Sequence, residues 1–206
     1  MLDRFRTFWT NVVKPVANLL IRSGVSPDTV TIVGTLGVVG GALLFFPTGH
    51  LWLGVVVISV FVFSDLIDGY MARTLGTSSK WGSFLDSTLD RLGDAAIFAG
   101  LAIWLFGGGH DDVLGYVALW ALVMGSVTSY TRAKAESLGL SAKGGIAERA
   151  DRLAAVLVLT FFSDVLDLHV LLTVVLWALA AASTVTVVQR ILLVRRQALA
   201  EARPSS

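Results

Sequence analysis

Asp65, Asp68, Asp86 and Asp90 are the residues of this sequence best able to do chemistry, because they stand where acids are costly. Spacings of three and four place the members of each pair on one helix face. The stretches that hold them, about 51–74 and 83–106, are otherwise largely apolar. A carboxylate inside a membrane-spanning segment costs about 2.5–3.5 kcal/mol. A short polar loop, Gly76-Thr77-Ser78-Ser79-Lys80, joins the two stretches, so their acidic faces can meet. Four carboxylates brought together repel one another unless something neutralises them. Two divalent cations match that charge, and an oxygen-only donor set in a chain without cysteine selects Mg²⁺ or Mn²⁺ rather than zinc. The competing reading is a set of helix-end acids that cap or pair with Arg73, Lys80 and Arg91; four acids at these spacings, with glycines between them, favour the metal centre. Asp94 continues the stripe by one turn and is read as a structural partner of Arg91 at i, i+3.

The elements that must position these acids are long and apolar. Of 206 residues, 55% are hydrophobic and 15% charged, where soluble chains carry about 25% charged residues; the mean hydropathy is +0.76. Apolar stretches fall at about 29–47, 51–74, 83–106, 112–138, 149–166 and 168–194, and a spanning helix needs roughly 20 such residues. The expectation is an all-α integral membrane protein with six transmembrane helices in one domain over 25–196. Residues 1–24 mix Arg4, Arg6, Lys14 and Arg22 with Phe5, Phe8, Trp9, Val12 and Val13, and predict an amphipathic helix on the membrane surface. Residues 197–206 read as a polar C-terminal tail. The N-terminus has no apolar run with a small-residue cleavage site, so no cleaved signal peptide is expected. Without cysteine there is neither a disulfide scaffold nor a thiolate metal site, and a net charge of +1 argues against nucleic acid as a partner.

Charge also sets the orientation. The connections near 48–50, 107–111 and 163–168 contain no Lys or Arg and hold Asp111, Asp112, Asp164, Asp167, His50, His110 and His169. In a six-helix layout all 16 basic residues fall on the other side, which makes that side cytoplasmic. Both termini and the acidic site are expected on the cytoplasmic face of the cell membrane.

Read in full, Asp65-x2-Asp68-Gly69-x2-Ala72-Arg73-x8-Gly82-x3-Asp86-x3-Asp90 resembles, at every fixed position, the signature of the CDP-alcohol phosphotransferase family. The resemblance implies six transmembrane helices, two Mg²⁺ or Mn²⁺ ions, a homodimer, and transfer of a phosphatidyl-type group from a CDP-linked lipid to an alcohol with release of CMP. Carried over by position, Asp65, Asp68, Asp86 and Asp90 are the metal ligands and Asp90 is also the general base. Gly69, Ala72, Arg73 and Gly82 contact the CDP moiety of the donor, CDP-diacylglycerol, though small residues at such spacings equally serve helix packing. Ser26 to Thr31 resembles the family's helix start near the nucleotide, which adds Asp28, where many members have Asn, and Thr31; Ser79 is a candidate of the same kind. The chemistry needs these residue types: pyrophosphate charge must be neutralised before an alcohol oxygen can approach phosphorus, and a carboxylate can take the alcohol's proton.

A second resemblance concerns the acceptor. Ser129 to Glu136 and Gly144 to Arg152 look like the actinobacterial phosphatidylinositol phosphate synthases of that family, whose acceptor is 1L-myo-inositol 1-phosphate. Arg132, Lys134, Arg149, Arg152 and Arg190 would then surround the acceptor's phosphate. Positive residues belong on this side for topology alone, and Arg132 can pair with Glu136 at i, i+4. Phosphatidylglycerophosphate synthases also use a phosphorylated alcohol and stand as the alternative. A divalent-cation carrier is the non-enzymatic alternative, disfavoured because the ionisable groups stop near one face.

Overall fold

The computed structural model describes residues 13–146 and 148–201, and among them every regular element is helical. Helix α1 covers residues 13–22. It is followed by α2 (Pro27–Phe45), α3 (Leu51–Val62), α4 (Ser64–Leu75), α5 (Lys80–Phe106), α6 (Asp112–Ser137), α7 (Arg149–Val165) and α8 (His169–Glu201). Most of the segment read as amphipathic, residues 1–12, lies outside the described residues. The part described packs on protein: Val13 and Ala17 of α1 are buried with Val30 of α2 and Met71 of α4, flanked by Leu20, Ile21 and Ile67. Residues 197–201, read as the start of the polar tail, continue α8, and 202–206 lie outside the described residues.

The stretch predicted as one helix over 51–74 is two. The break falls at Phe63, which keeps helical angles (φ −65°, ψ −14°) without continuing the regular ladder. Neither proline nor glycine marks it. Taken together, Leu51–Leu75 is long and apolar enough to cross a membrane, as are Pro27–Phe45, Asp112–Ser137 and His169–Glu201. Among the described residues these are four candidate spans, where six were expected. Helix α5 falls short because Asp86, Asp90, Arg91 and Asp94 interrupt its first half, and α7 has only 17 residues. Large apolar side chains face outward along these helices, among them Leu36, Val60, Tyr116 and Trp177. Exposed apolar surface on this scale suits lipid rather than water.

The chain forms two compact units. Within the described residues, one runs up to Phe45 and resumes over Leu53–Ile97; the other holds Phe46–Trp52 and everything from Phe98 on. In the first unit, α2 packs closely against α3 and α4. A Cβ added to Gly34 would lie 1.8 Å from Ser64 Oγ and 2.7 Å from Ser64 Cβ, and one added to Gly37 would lie 2.2 Å from the Phe61 ring. Gly41 faces Ile58 in the same way, at 3.0 Å. These glycines thus line one stripe that admits the neighbouring helix, the small-residue packing that membrane helices use. In the second unit α8 packs against α6 and α7. Its acids on the lysine-free side serve as caps: Asp111 accepts from Leu114 N at 2.9 Å to start α6, and Asp164 accepts from Trp52 N at 2.8 Å to start α3.

The glycine stripe makes a direct prediction. Gly34→Ala forces α2 away from Ser64 and is expected to destabilise by about 1–3 kcal/mol, as overpacking does. Gly40→Ala meets nothing within 4 Å and gains helix propensity, so it is the control. Thermal unfolding in detergent should show a lower midpoint for the first substitution only; equal midpoints would remove the close-packing role.

Candidate active site

The acidic site is built on three helices of the first unit, and each is fixed locally. Helix α4 ends at Gly76, whose φ of +64° is the left-handed conformation glycine adopts readily. Its N–H bonds Arg73 O, and Thr77 N bonds Ala72 O, closing the last turn of the helix. Helix α5 starts immediately after Ser79, whose side-chain oxygen accepts from Gly82 N at 3.0 Å. Ser79, expected near the nucleotide, is therefore also the N-cap of α5. These two ends set where the second acidic pair begins relative to the first.

Asp65, Asp68 and Asp86 converge: each offers a carboxylate oxygen, and those oxygens lie within 4.8 Å of one another. Asp68 is buried and Asp86 exposed. The buried carboxylate is held from α2 by Thr31, whose hydroxyl donates to Asp68 Oδ2 at 2.5 Å. Thr31 is thus placed against an acid of the cluster. Asp90, one turn along α5 from Asp86, lies outside the group of three; Arg91 Nη2 stands 3.8 Å from its carboxylate. The same Arg91 nitrogen lies 3.9 Å from Asp94, the pairing expected at i, i+3. Three carboxylates within 4.8 Å, all oxygen donors, fit a divalent cation of the Mg²⁺ or Mn²⁺ kind.

The small residues of the motif border the same place. Gly69 lies beneath Arg73, where a Cβ would come within 3.5 Å of Nη1. Gly82 faces both Ser79 and Asp28, at 3.4 Å and 3.8 Å from a Cβ position. Trp81, which the sequence did not single out, donates from its indole nitrogen to Asp28 Oδ2 at 3.1 Å. The pairing spans 53 residues, so no local pattern announces it. Ala72 is half-buried one turn after Asp68.

The five basic candidates all belong to the second unit and differ in kind. Arg132 and Lys134 are exposed near the end of α6, and Arg132 Nε bonds Glu136 at 3.0 Å, the i, i+4 pair foreseen as its competing role. Arg149 opens α7 and is half-buried. Arg152 and Arg190 are buried, at 3% and 5% exposure, although arginine is seldom found fully inside. The guanidinium of Arg152 lies over Gly125, 3.3 Å from a Cβ position there. Arg190 donates from Nη1 to Thr128 O at 2.5 Å and from Nε to Gly144 O at 3.0 Å. Both buried guanidinium groups thus lie against α6, Arg152 at Gly125 and Arg190 at Thr128.

Comparison with known proteins gives one answer. Residues 24–185 match the family model described as CDP-alcohol phosphatidyltransferase. A phosphatidylinositol phosphate synthase of Streptomyces avermitilis is 52% identical over 96% of this chain and 84% of its own length. Another from Cutibacterium acnes is 50% identical over 95% and 98%. Among solved structures, the phosphatidylinositol phosphate synthase of Mycobacterium tuberculosis with CDP-DAG bound superposes with a TM-score of 0.86 at 42% identity, covering 89% of this chain and 94% of that one. The same enzyme in complex with manganese and citrate gives a TM-score of 0.85, covering 89% and 88%. Signature, fold and relatives agree: the chain belongs to the CDP-alcohol phosphatidyltransferase family.

Proposed function

We propose that this protein is a phosphatidylinositol phosphate synthase, which transfers the phosphatidyl group of CDP-diacylglycerol to 1L-myo-inositol 1-phosphate and releases CMP. The observation that carries the reaction class is the convergence of Asp65, Asp68 and Asp86 within 4.8 Å. The names of the synthases from Streptomyces avermitilis and Cutibacterium acnes, at 52% and 50% identity, support the choice of acceptor. The mycobacterial structures with CDP-DAG and with manganese support the donor and the use of a divalent cation.

Asp65, Asp68 and Asp86, with Asp90 as fourth ligand, would hold two Mg²⁺ or Mn²⁺ ions. Bound there, the ions neutralise pyrophosphate oxygens and stabilise the departure of CMP. Thr31 keeps Asp68 oriented. Arg73, lying over Gly69, offers two parallel donors to phosphate oxygens. Asp28, Ala72, Ser79 and Gly82 border the nucleotide, with Gly82 leaving room beside the Asp28 carboxylate. Asp90 accepts the proton of the acceptor hydroxyl as its oxygen approaches phosphorus. The acceptor's own phosphate is held by Arg152 and Arg190, with Arg132, Lys134 and Arg149 around it. Two buried guanidinium groups that pack on α6, Arg152 at Gly125 and Arg190 at Thr128, support an anion-binding role for this part of the unit.

Six membrane crossings, with α5 and α7 as the two beyond the four long apolar helices, complete the reading, together with a surface-lying N-terminal segment and assembly as a homodimer. Both termini and the site face the cytoplasm, as the one-sided placement of the 16 basic residues indicates. Single cysteines at Gly108 and Asp164 should label from outside intact cells, and one at Ser205 should not. External labelling at position 205 would reverse the orientation.

The activity itself is tested with purified protein, Mg²⁺ and CDP-diacylglycerol, offering inositol 1-phosphate, inositol, glycerol 3-phosphate and serine in turn. CMP release is expected with inositol 1-phosphate; preference for glycerol 3-phosphate would move the protein to the phosphatidylglycerophosphate synthases. In the same assay Arg152→Gln should raise the KM for inositol 1-phosphate about ten- to a hundredfold, as loss of a charge-assisted bond costs about 1.5–3 kcal/mol. The KM for CDP-diacylglycerol should stay unchanged, and equal losses for both substrates would remove the phosphate-pocket assignment. Asp90→Asn should abolish turnover while keeping CDP-lipid binding better than Asp65→Asn or Asp86→Asn. Retention of more than about a tenth of wild-type CMP release at saturation would exclude Asp90 as the base, since general bases contribute about 10²–10⁴-fold.

A further inference from the structure

We propose that residues 139–146, between α6 and α7, form a substrate loop clamped by α8, with Gln197 and Thr186 as positioning residues for the phosphorylated acceptor. The inference rests on the reading of the flanking basic residues as the acceptor's phosphate site. No regular element covers these loop residues, yet α8 holds them at three levels. Gln197 pairs with Ser141 at two points: Ser141 N donates to Oε1 at 2.9 Å, and Nε2 donates to Ser141 O at 2.6 Å. Arg190 Nε donates to Gly144 O at 3.0 Å. Thr186 Oγ1 accepts from Ile146 N at 3.2 Å. Positions 186, 190 and 197, four and seven apart, share one face of the helix.

The loop is shaped for this contact. Gly144 and Gly145 have φ of +105° and +133°, conformations that other residues rarely adopt. A Cβ on Gly145 would lie 2.3 Å from Thr186 Cγ2, so the main chain lies directly on α8. Ala142 is fully buried although its neighbours Ser141 and Lys143 are exposed. These bonds satisfy main-chain groups that a loop would otherwise give to water, and they do so with side chains 40 to 56 residues away.

The loop's position in the chain gives the clamp its use. It follows Arg132 and Lys134 at the end of α6 and precedes Arg149 and Arg152 at the start of α7. Arg190 ties the loop at Gly144 and α6 at Thr128 with one guanidinium. A loose loop would let the basic ends of α6 and α7 move apart, and acceptor binding would then carry the cost of ordering them. Clamped, the site is preorganised and that cost is already met by folding. A merely structural clamp would alter stability without discriminating between the two substrates.

The test uses the full-length protein and the alcohol that the wild type accepts, whichever that proves to be. Gln197→Met keeps the side chain's length and removes both bonds; Thr186→Val keeps its shape and removes the acceptor for Ile146 N. Each should raise the KM for the acceptor about three- to tenfold, the effect of one or two neutral hydrogen bonds, and leave the KM for CDP-diacylglycerol within about twofold. Each should also speed tryptic cleavage after Lys143 by a similar factor, because cleavage tracks the opening of the loop. Thr186→Ser, which keeps the hydroxyl, should behave as wild type in both. Faster cleavage with an unchanged acceptor KM, equal rises for both substrates, or no change in either readout would overturn the proposal. Wild-type preference for another alcohol would overturn the reading of function, and the comparison of KM values then decides the clamp with that alcohol.

Discussion

Mutual repulsion among carboxylates held in apolar helices is the condition that the first unit is built to meet. Asp68 is the acid least able to escape it, being buried among α2, α4 and its own cluster. Its Oδ2 is satisfied by Thr31, and Thr31 can reach it only because Gly34, Gly37 and Gly41 let α2 lie against Ser64, Phe61 and Ile58. The cap at Ser79 and the left-handed Gly76 then start α5 close behind the end of α4. That sequence of local events brings Asp86 to Asp65 and Asp68, and the charge so concentrated is one that a divalent cation would offset.

The second unit meets the opposite problem. Arg152 and Arg190 are buried cations, and part of their solvation is supplied by the main chain: Thr128 O and Gly144 O accept from Arg190. Carbonyl oxygens neutralise no charge, so they stabilise the guanidinium without removing its attraction for an anion. A carboxylate partner would have done the reverse, as Glu136 does for exposed Arg132. Arg190 is therefore held in place by main-chain acceptors, while Glu148 and Glu136 act on its charge from farther off.

The helices and the aspartates were legible in the sequence because each leaves a local mark. Long apolar stretches gave α2, α6, α7 and α8 to within a few residues at their starts, and spacings of three and four put the acids on shared faces. The Arg91–Asp94 and Arg132–Glu136 pairs were equally legible, since helical geometry alone sets them. What could not be read is long-range or competes with pattern. The break at Phe63 has no proline or glycine to mark it and falls where the apolar stretch meets Ser64 and Asp65. Helix α5 starts at Lys80, ahead of its apolar stretch, because Ser79 caps it before the hydrophobic pattern begins. Trp81 on Asp28 and Gln197 on Ser141 join residues 53 and 56 apart, and nothing near either partner marks them. Gln197, at the start of the expected tail, shows the same limit, since its polarity serves a helix with a partner.

The close approach of α2 to α3 and α4 also bears on the lipid around the protein. A bilayer that thickens or thins is accommodated by helices that tilt or slide. Where glycine lets one backbone lie against a neighbour's side chains at Ser64 and Phe61, sliding would drive those atoms together. The pair must therefore tilt as one body. The distances among Asp65, Asp68 and the Thr31 that holds it are thereby insulated from the acyl-chain length of the surrounding lipid.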